Sequence, residues 1–258
     1  MKAKEKLGLY VFVNIFFRSF FIQAVWNYQS MISIGFCFAL APVARKLFKD
    51  SEKRSAFINR HLNFFNAHPY FSSFALGSIA KIEQDLAQEE NEDYYKLDRL
   101  KNALIGPLGA IGDQLVWATI KPASILIGMM GVILLPGFQS KIIFLVVLLA
   151  LYNIPHIYIR IFGLIKGYAA GFEIYKLLNL EHFNTVRTIY GGLGALALGT
   201  IFSYSFLEST ELSVHHAAVF IFCFFAAYFY KKWRQSVYRS LAFPVLIAFI
   251  LGIIIESL

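Results

Sequence analysis

The chain has 258 residues, of which 58% are hydrophobic and 16% are charged, and its formal net charge is +8. Soluble domains carry about 25% charged residues, so this composition argues against a soluble domain and indicates an integral membrane protein. The positive charge does not indicate a nucleic-acid partner, because no basic stretch is interleaved with stacking aromatic residues. In membrane proteins, Lys and Arg instead collect in cytoplasmic loops.

The chain begins with a basic leader and an apolar tract, which Arg18 interrupts. No small-residue cleavage site is evident, so we expect no cleavable signal peptide. Residues 10–43 contain a polar stripe that would lie on one face of a helix, formed by Ser19, Gln23, Asn27 and Ser30. The stripe predicts either an interfacial helix with its polar face in water or a helix that faces a partner or a polar pathway.

Lys and Arg are frequent in the first hundred residues, and a polar stretch occupies residues 83–101. By the positive-inside rule, this distribution predicts an N-terminal region on the cytoplasmic side, residues 1–103, with interfacial or re-entrant helices. Within it, residues 83–101 are expected to form a cytosolic helix or linker. The remaining residues, 104–258, are the predicted transmembrane region.

Residues 104–136 are apolar but contain Pro107, Pro122, Asp113 and Lys121. A straight helix of that length would span about 50 Å, well over the ~30 Å hydrocarbon core of a bilayer. The sequence therefore predicts a broken or re-entrant segment followed by a crossing. Irregular backbone at membrane depth is tolerated where it is buried in protein or lines a wet cavity.

Transmembrane helices are predicted downstream over Ile142–Phe162, Ile189–Leu207, Val214–Tyr230 and Leu241–Glu256. The basic loop at 231–239 is expected in the cytoplasm and the acidic loop at 208–211 outside, which places the N-terminus inside and the C-terminus outside. Small residues spaced by four predict close helix packing. They are Gly163, Gly167 and Gly171 in one ladder and Gly191, Ala195 and Gly199 in the other.

The predicted fold class is thus an all-α integral membrane protein. It has N-terminal amphipathic or re-entrant helices, then a broken Gly/Pro membrane segment, then about four transmembrane helices.

Asp113 is the first candidate site residue, because a carboxylate at membrane depth is costly and typically marks a pathway or a binding site. With Gln114 and Trp117 it forms a set suited to a neutral sugar, since carboxylates and amides bond hydroxyls and an aromatic face contacts the C–H side of a sugar. The alternative is that Asp113 is the N-cap of a helix that begins at Gln114.

The segment FFNAHPY, residues 64–70, offers Asn66 and His68 as hydrogen-bonding partners for hydroxyls, with Pro69 holding His68 in an extended conformation. The alternative is a loop in which Asn66 bonds its own backbone. Arg160 is expected to snorkel to the membrane interface. The sequence has no metal-binding spacing of Cys and His and no nucleophile–base motif, so we expect no metal, no cofactor and no catalytic residue in this chain.

Four stretches resemble the IID subunits of the mannose/fructose/sorbose family of the sugar phosphotransferase system. They are RSFFIQAVWNYQSMISIGF at 18–36, RHLNFFNAHPY at 60–70, NALIGPLGAIGDQLVWATIKP at 102–122 and GYAAG at 167–171. The site candidates that match positions in these motifs are Asn66, His68, Asp113 and Trp117.

The resemblance implies a multi-pass permease subunit in the bacterial inner membrane. IID subunits pair with a IIC membrane subunit, in higher-order IIC–IID oligomers, and separate IIA and IIB proteins carry phosphate to the hexose-type sugar. The implied partners are thus IIC, the IIA and IIB phosphoryl carriers, the sugar and the lipid bilayer. The alternative is a non-transporting IID-like scaffold or regulatory subunit, because Ala67 and Gln114 replace residues common in the family.

Overall fold

The structure is a computed structural model that describes residues 6–89 and 94–208. Across these ranges the regular secondary structure is helical, apart from isolated backbone bridges at Met31, which confirms the all-α prediction. The α-helices are α1 (Leu9–Ser19), α2 (Ser33–Leu47), α3 (Ser51–His61), α4 (Ser72–Glu89), α5 (Tyr94–Gly112), α6 (Lys121–Leu134), α7 (Phe138–Ala170) and α8 (Asn184–Glu208). A π-helical segment, Asp113–Ile120, joins α5 to α6, and 3-10 helices at Gly171–Leu177 and Leu180–Phe183 lead into α8.

In the described part of the chain, two helical stretches are long and apolar enough to cross a membrane, Tyr94–Leu134 and Phe138–Leu177. The predicted helix over Ile142–Phe162 lies within α7, and the one over Ile189–Leu207 lies within α8. Both are confirmed as helices. The chain turns between the two long stretches at Gly137, whose φ of 87° suits glycine because it carries no Cβ.

The chain divides into two compact units, Met1–Leu198 and Gly199–Leu258. Only residues 199–208 of the second unit are described. The predicted spans over Val214–Tyr230 and Leu241–Glu256 and the loops that flank them therefore lie outside the described residues.

The predicted polar stripe in residues 10–43 is wrong, because α1 ends at Ser19 and α2 begins only at Ser33. At the end of α1 the Ser19 carbonyl accepts from the Arg160 guanidinium at 2.6 Å and from the Ile22 N–H, in a tighter turn, at 3.4 Å. The residues between the helices form turns, and Ile32 N–H donates to the Phe65 carbonyl at 3.1 Å. The polar residues of the stripe therefore do not share one helical face.

The predicted break in residues 104–136 is also wrong, because the backbone stays helical from Tyr94 to Leu134, over 41 residues. A helix of this length exceeds the ~30 Å hydrocarbon core, so part of it lies beyond the core. Prolines within membrane helices are tolerated where local π adjustments and hydroxyl side chains bond the freed backbone groups. Here the segment before Pro122 is π-helical, and close to that proline the Thr119 hydroxyl donates to the Gln114 carbonyl and the Ser124 hydroxyl to the Ile120 carbonyl, at 2.8 and 2.7 Å.

The core is built around α4, which packs along α7 with backbone nearly touching backbone. A Cβ on Gly77 would lie 2.2 Å from the Leu164 carbonyl oxygen, and a Cβ on Gly167 would lie 2.2 Å from the Phe74 carbonyl oxygen. The predicted packing role of the first glycine ladder is therefore confirmed at Gly163 and Gly167, whereas Gly171 follows the end of α7 with a φ of 51°. In the second ladder, a Cβ on Gly191 would have no described atom within 4 Å, so no packing contact is seen there.

A buried ionic cluster joins α3, α4 and α5. Arg60 donates to both carboxylate oxygens of Glu83, at 2.6 and 2.7 Å, and His61 Nε2 lies 2.8 Å from Glu83 Oε1. Burial raises the pKa of the Glu83 carboxyl, but the hydrogen bonds from Arg60 and His61 outweigh it and hold that pKa below its usual range. From α5, Lys101 Nζ donates to the carbonyls of His61 and Asn63, at 3.1 and 3.0 Å, where α3 ends.

Replacement of Gly167 by Ala should destabilise the protein, because the new methyl group would overlap the Phe74 carbonyl and force α4 and α7 apart. Overpacking of this kind costs about 1–3 kcal/mol. Thermal unfolding of the purified protein in detergent measures the effect. Gly192→Ala is the matched control, since a Cβ there meets no described atom within 4 Å; equal melting temperatures for the two variants would contradict the packing described.

Candidate functional site

The π-helical segment presents a polar face in the middle of a long apolar helix. Asp113 and Gln114 are exposed, and Trp117 is 37% exposed, whereas Leu115 and Val116 between them are buried. Gly112, the residue before Asp113, has helical dihedral angles and is the last residue of α5. The alternative in which Asp113 caps a helix beginning at Gln114 is therefore wrong, since the helix is already formed at that point.

Backbone hydrogen bonds and the buried side chain of His68 attach the segment FFNAHPY to the rest of the protein. His68 is buried, its Nδ1 accepts the Tyr70 N–H at 3.2 Å, and its carbonyl accepts from Ser72 at the start of α4. Asn66 is exposed, and among the described residues its side chain makes no hydrogen bond, so the turn in which it bonds its own backbone does not form. Its amide is available to an outside ligand.

The two stretches predicted to form a site meet at Gly112. A Cβ on Gly112 would lie 2.2 Å from Cβ and Cγ of His68, so only glycine allows the imidazole to lie there. The His68 ring centroid is 5.0 Å from that of Trp117, and Tyr70 is 6.0 Å from the same indole. The structure thus brings His68 and Trp117 together, with Asn66 and Asp113 close to them in sequence.

A row of α7 side chains, which the sequence analysis did not assign to the site, lies behind this contact. The Tyr70 and Tyr152 hydroxyls are 2.5 Å apart, and the His156 ring stacks on Tyr70 with centroids 4.4 Å apart. Tyr152, His156 and Arg160 are spaced by four residues and therefore share one helical face. That spacing of polar residues in an apolar helix was the available sequence signal.

Arg160 does not snorkel, and the prediction that it reaches the interface is wrong. The residue is 3% exposed, and its Nη1 donates to the Ser19 carbonyl at 2.6 Å and to the Ser19 hydroxyl at 2.9 Å. The guanidinium also lies 4.7 Å from the Phe20 ring centroid and 4.8 Å from that of Tyr70. Carbonyl bonding and two aromatic faces together stabilise this cation in the apolar interior.

The exposed side chains of the two stretches can form hydrogen bonds with a ligand and contact it through an aromatic ring. Asp113 supplies acceptors, Gln114 and Asn66 supply both donors and acceptors, and Trp117 supplies an aromatic ring. The Lys121 ammonium lies 4.8 Å from the Trp117 ring centroid and adds a cation at the edge of this face. Among the described residues, no group of three His, Cys, Asp or Glu side chains could hold a metal ion.

Comparisons of sequence place the chain among known proteins. The family described as "PTS system mannose/fructose/sorbose family IID component" matches residues 7–221. The chain is 31% identical over 164 residues to the mannose-specific EIID component of Escherichia coli K12, a match that covers 63% of this chain and 56% of that protein. It is 26% identical over 203 residues to the fructose permease IID component of Bacillus subtilis, covering 79% and 72% of the two chains. The chain thus matches little more than half the length of the E. coli relative.

Two solved structures are similar to this chain. A solved structure described only as a membrane protein is similar with a TM-score of 0.67 and 28% identity, over 76% of this chain and 71% of that one. The cryo-electron microscopy structure of the mannose transporter ManYZ with microcin E492 is similar with a TM-score of 0.59 and 22% identity, over 98% and 97% of the two chains. At that identity, the second likeness is one of fold.

Replacement of Gly112 by Ala should displace His68 and change the surroundings of Trp117, because the methyl group would occupy the space of the imidazole. The cost should be about 1–3 kcal/mol of stability. Fluorine NMR of labelled tryptophan, with Trp26 and Trp233 replaced by Phe, reads the indole directly. Gly106→Ala is the control, since a Cβ there meets no described atom within 4 Å; an unchanged Trp117 signal in Gly112→Ala would show that the contact is absent.

Proposed function

Because this chain belongs to the IID component family of the mannose/fructose/sorbose phosphotransferase systems, we propose that it is a membrane permease subunit that forms a sugar translocation pathway with a IIC subunit. The observation that carries the proposal is the exposed polar face of Asp113, Gln114 and Trp117 in a helix otherwise long and apolar enough to cross a membrane. Separate IIA and IIB proteins would supply the phosphoryl group to a hexose-type sugar.

The residues of this face divide the work of sugar recognition between them. Asp113 accepts hydrogen bonds from hydroxyls, Gln114 donates and accepts, and Trp117 contacts the C–H side of the ring. Asn66, two residues before His68, would donate and accept from the neighbouring segment. His68 lies beneath Trp117 and fixes the position of the indole, with its Nε2 buried and unbonded among the described residues. That nitrogen makes His68 a candidate ligand of the sugar.

A second subunit is needed because this face is open. Small-ligand sites bury about 70–90% of the ligand surface, and an exposed helix face alone cannot do so. The same helix leaves room for another backbone, since a Cβ on Gly106 or Gly109 meets no described atom within 4 Å. A IIC subunit seated there would enclose the sugar between the two chains, in a complex that can associate further into higher-order oligomers.

A non-transporting IID-like scaffold is the second candidate, and Gln114 is the observation that favours it, because the resemblance implies Ser or Pro at that position. Ala67, the other departure, is buried and therefore lies away from the exposed face. In the transporter candidate, the phosphoryl groups are carried by the separate IIA and IIB proteins that the resemblance implies.

The proposed topology places the N-terminal region, residues 1–103, on the cytoplasmic side of the bacterial inner membrane. One crossing by Tyr94–Leu134 and a return by Phe138–Leu177 put the 3-10 helices and Lys176 back in the cytoplasm, as the positive-inside rule requires. α8 and two further spans then leave the C-terminus outside, which gives about four transmembrane helices after the first crossing.

Reporter fusions test this topology. Fusions at Lys2, Ser209 and Leu258 should report inside, outside and outside, because the number of crossings before each point is then even, odd and odd. A cytoplasmic signal at Leu258 would contradict the proposed number of spans, and a periplasmic signal at Lys2 would invert the whole arrangement.

Replacement of Asp113 by Ala should weaken sugar binding and uptake by roughly ten- to a hundred-fold, because losing one buried hydrogen-bond partner costs about 1–3 kcal/mol. Asp113→Asn keeps the shape and should lose less. Binding calorimetry on the complex with IIC, and uptake in cells that lack other sugar permeases, measure the two effects. Asp98→Asn, a carboxylate earlier in the same helical stretch, is the control.

Two outcomes separate the candidates. If Asp113→Ala and Asn66→Ala leave binding and uptake unchanged while assembly with IIC falls, the face is an assembly surface and the sugar pathway lies elsewhere. If the wild-type complex assembles but takes up no hexose, the scaffold candidate replaces the transporter.

A further inference from the structure

Lys121 is an exposed cation within the helical stretch Tyr94–Leu134, which is long and apolar enough to cross a membrane. Its ammonium lies 4.8 Å from the Trp117 ring centroid. No carboxylate of the described residues forms an ion pair with it. One aromatic face at an exposed position offsets only a small part of the hydration that a cation loses in an apolar medium. The charge therefore needs a further partner.

The packing of α6 on α7 gives the depth at which Lys121 lies. A Cβ on Gly128 would overlap the side chain of Leu148. Three residues further along α6, a Cβ on Gly131 would overlap Phe144, so the two helices run antiparallel. Lys121 comes seven positions before Gly128, and its level on α7 is therefore about seven positions after Leu148, at residue 155.

That level lies deep in the membrane. Lys141 and Lys166 are both exposed on α7 and 25 positions apart, which corresponds to about 37 Å along the helix and brackets the ~30 Å hydrocarbon core. Pro155, the residue at the level in question, is about 21 Å from Lys141 and about 17 Å from Lys166. The four-carbon stem of a lysine is too short to carry its ammonium from there to either membrane surface.

From this placement we propose that Lys121 forms an ion pair with an Asp or Glu carboxylate of the IIC subunit at membrane depth. The inference rests on the proposed pairing with IIC and not on sugar transport. Ionised side chains in membrane segments are costly, and they pair with one another away from lipid. A neutral sugar and an acyl chain bring no negative charge, whereas a carboxylate on the partner does.

The pair would also fix how the two subunits meet. Lys121 contacts Trp117, so it lies on the side of the helix that carries the candidate sugar face. A charge pair at one point of an apolar interface sets the register of the two surfaces, because any shift leaves both charges without a partner. The carboxylate would thereby hold a helix of IIC opposite Asp113 and Trp117.

Zero-length cross-linking tests the pair directly. Membranes that contain the co-expressed full chain and IIC are treated with dicyclohexylcarbodiimide, an apolar reagent that enters the bilayer. The reagent activates a carboxylate, a contacting amine displaces it to form an amide, and the urea leaves. Mass spectrometry of the digested complex should identify an amide between Lys121 and an Asp or Glu of IIC. Lys121→Arg keeps the positive charge, so the complex should still assemble while the cross-link is lost.

Dissociation of the purified complex measures how much the pair contributes. Fluorescence energy transfer between labelled subunits is followed after addition of excess unlabelled IIC. Lys121→Gln should accelerate dissociation by about thirtyfold or more, because it leaves the carboxylate of IIC unpaired in an apolar interface. Lys121→Arg should change the rate far less. Lys141→Gln, which removes an exposed lysine near the start of α7, is the matched control and should change the rate less than about twofold.

Four results would overturn the proposal. An amide from Lys121 to Asp113 would show that the pair forms within this chain. An unmodified Lys121 in a complex that assembles normally would remove the pair and leave the proposed function intact. Weakened sugar binding by Lys121→Gln at an unchanged dissociation rate would make the ammonium a ligand of the sugar. Failure of the wild-type chain to bind IIC would refute both the pair and the proposed permease subunit.

Discussion

The contact between the backbones of α4 and α7 is the constraint on which the described structure depends. Small residues let two helix backbones approach closely, because no side chain stands between them. Gly77 and Gly167 provide that closeness from the two sides. Since α4 begins at Ser72, two residues after Tyr70 at the end of FFNAHPY, the contact also determines where His68 and Tyr70 meet the polar row of α7.

Two buried cations each donate a hydrogen bond to the carbonyl of the last residue of a helix. Arg160 bonds the carbonyl of Ser19, the last residue of α1, and Lys101 bonds the carbonyl of His61, the last residue of α3. The carbonyls at a helix C-terminus have no partner within the helix and carry the negative end of its dipole, so a cation there satisfies both. Arg160 and Lys101 therefore each fix the C-terminal end of a helix that is distant from them in sequence.

The sequence predicted the features that depend on local spacing and failed where a distant partner decided the outcome. The glycine ladder at Gly163 and Gly167, the helices within α7 and α8, and the family resemblance all follow from residues close in sequence. The burial of Arg160 does not, because its acceptor, Ser19, is 141 positions away.

The predicted break at residues 104–136 failed for a related reason. Prolines and glycines signal a helix break, but hydroxyl side chains and a local widening of the helix can satisfy the freed backbone groups instead. At the candidate site, the sequence predicted Asp113, Gln114 and Trp117, which are exposed together in the structure, and their role in sugar binding stays a prediction. The supporting row of Tyr152, His156 and Arg160 could not be assigned to the site, since its spacing suits ordinary packing equally well.

The π-helical segment affects how this chain can be aligned with its relatives. In a regular α-helix one inserted residue turns everything after it by about 100° and would remove α6 from its contact with α7. A widened turn absorbs the extra residue locally, so the halves on either side keep their orientation. Homologues can therefore differ by one residue between Asp113 and Ile120 without losing the fold. Equivalent positions in α5 and in α6 must therefore be aligned separately, because the number of residues in the π-helical segment between them can differ by one.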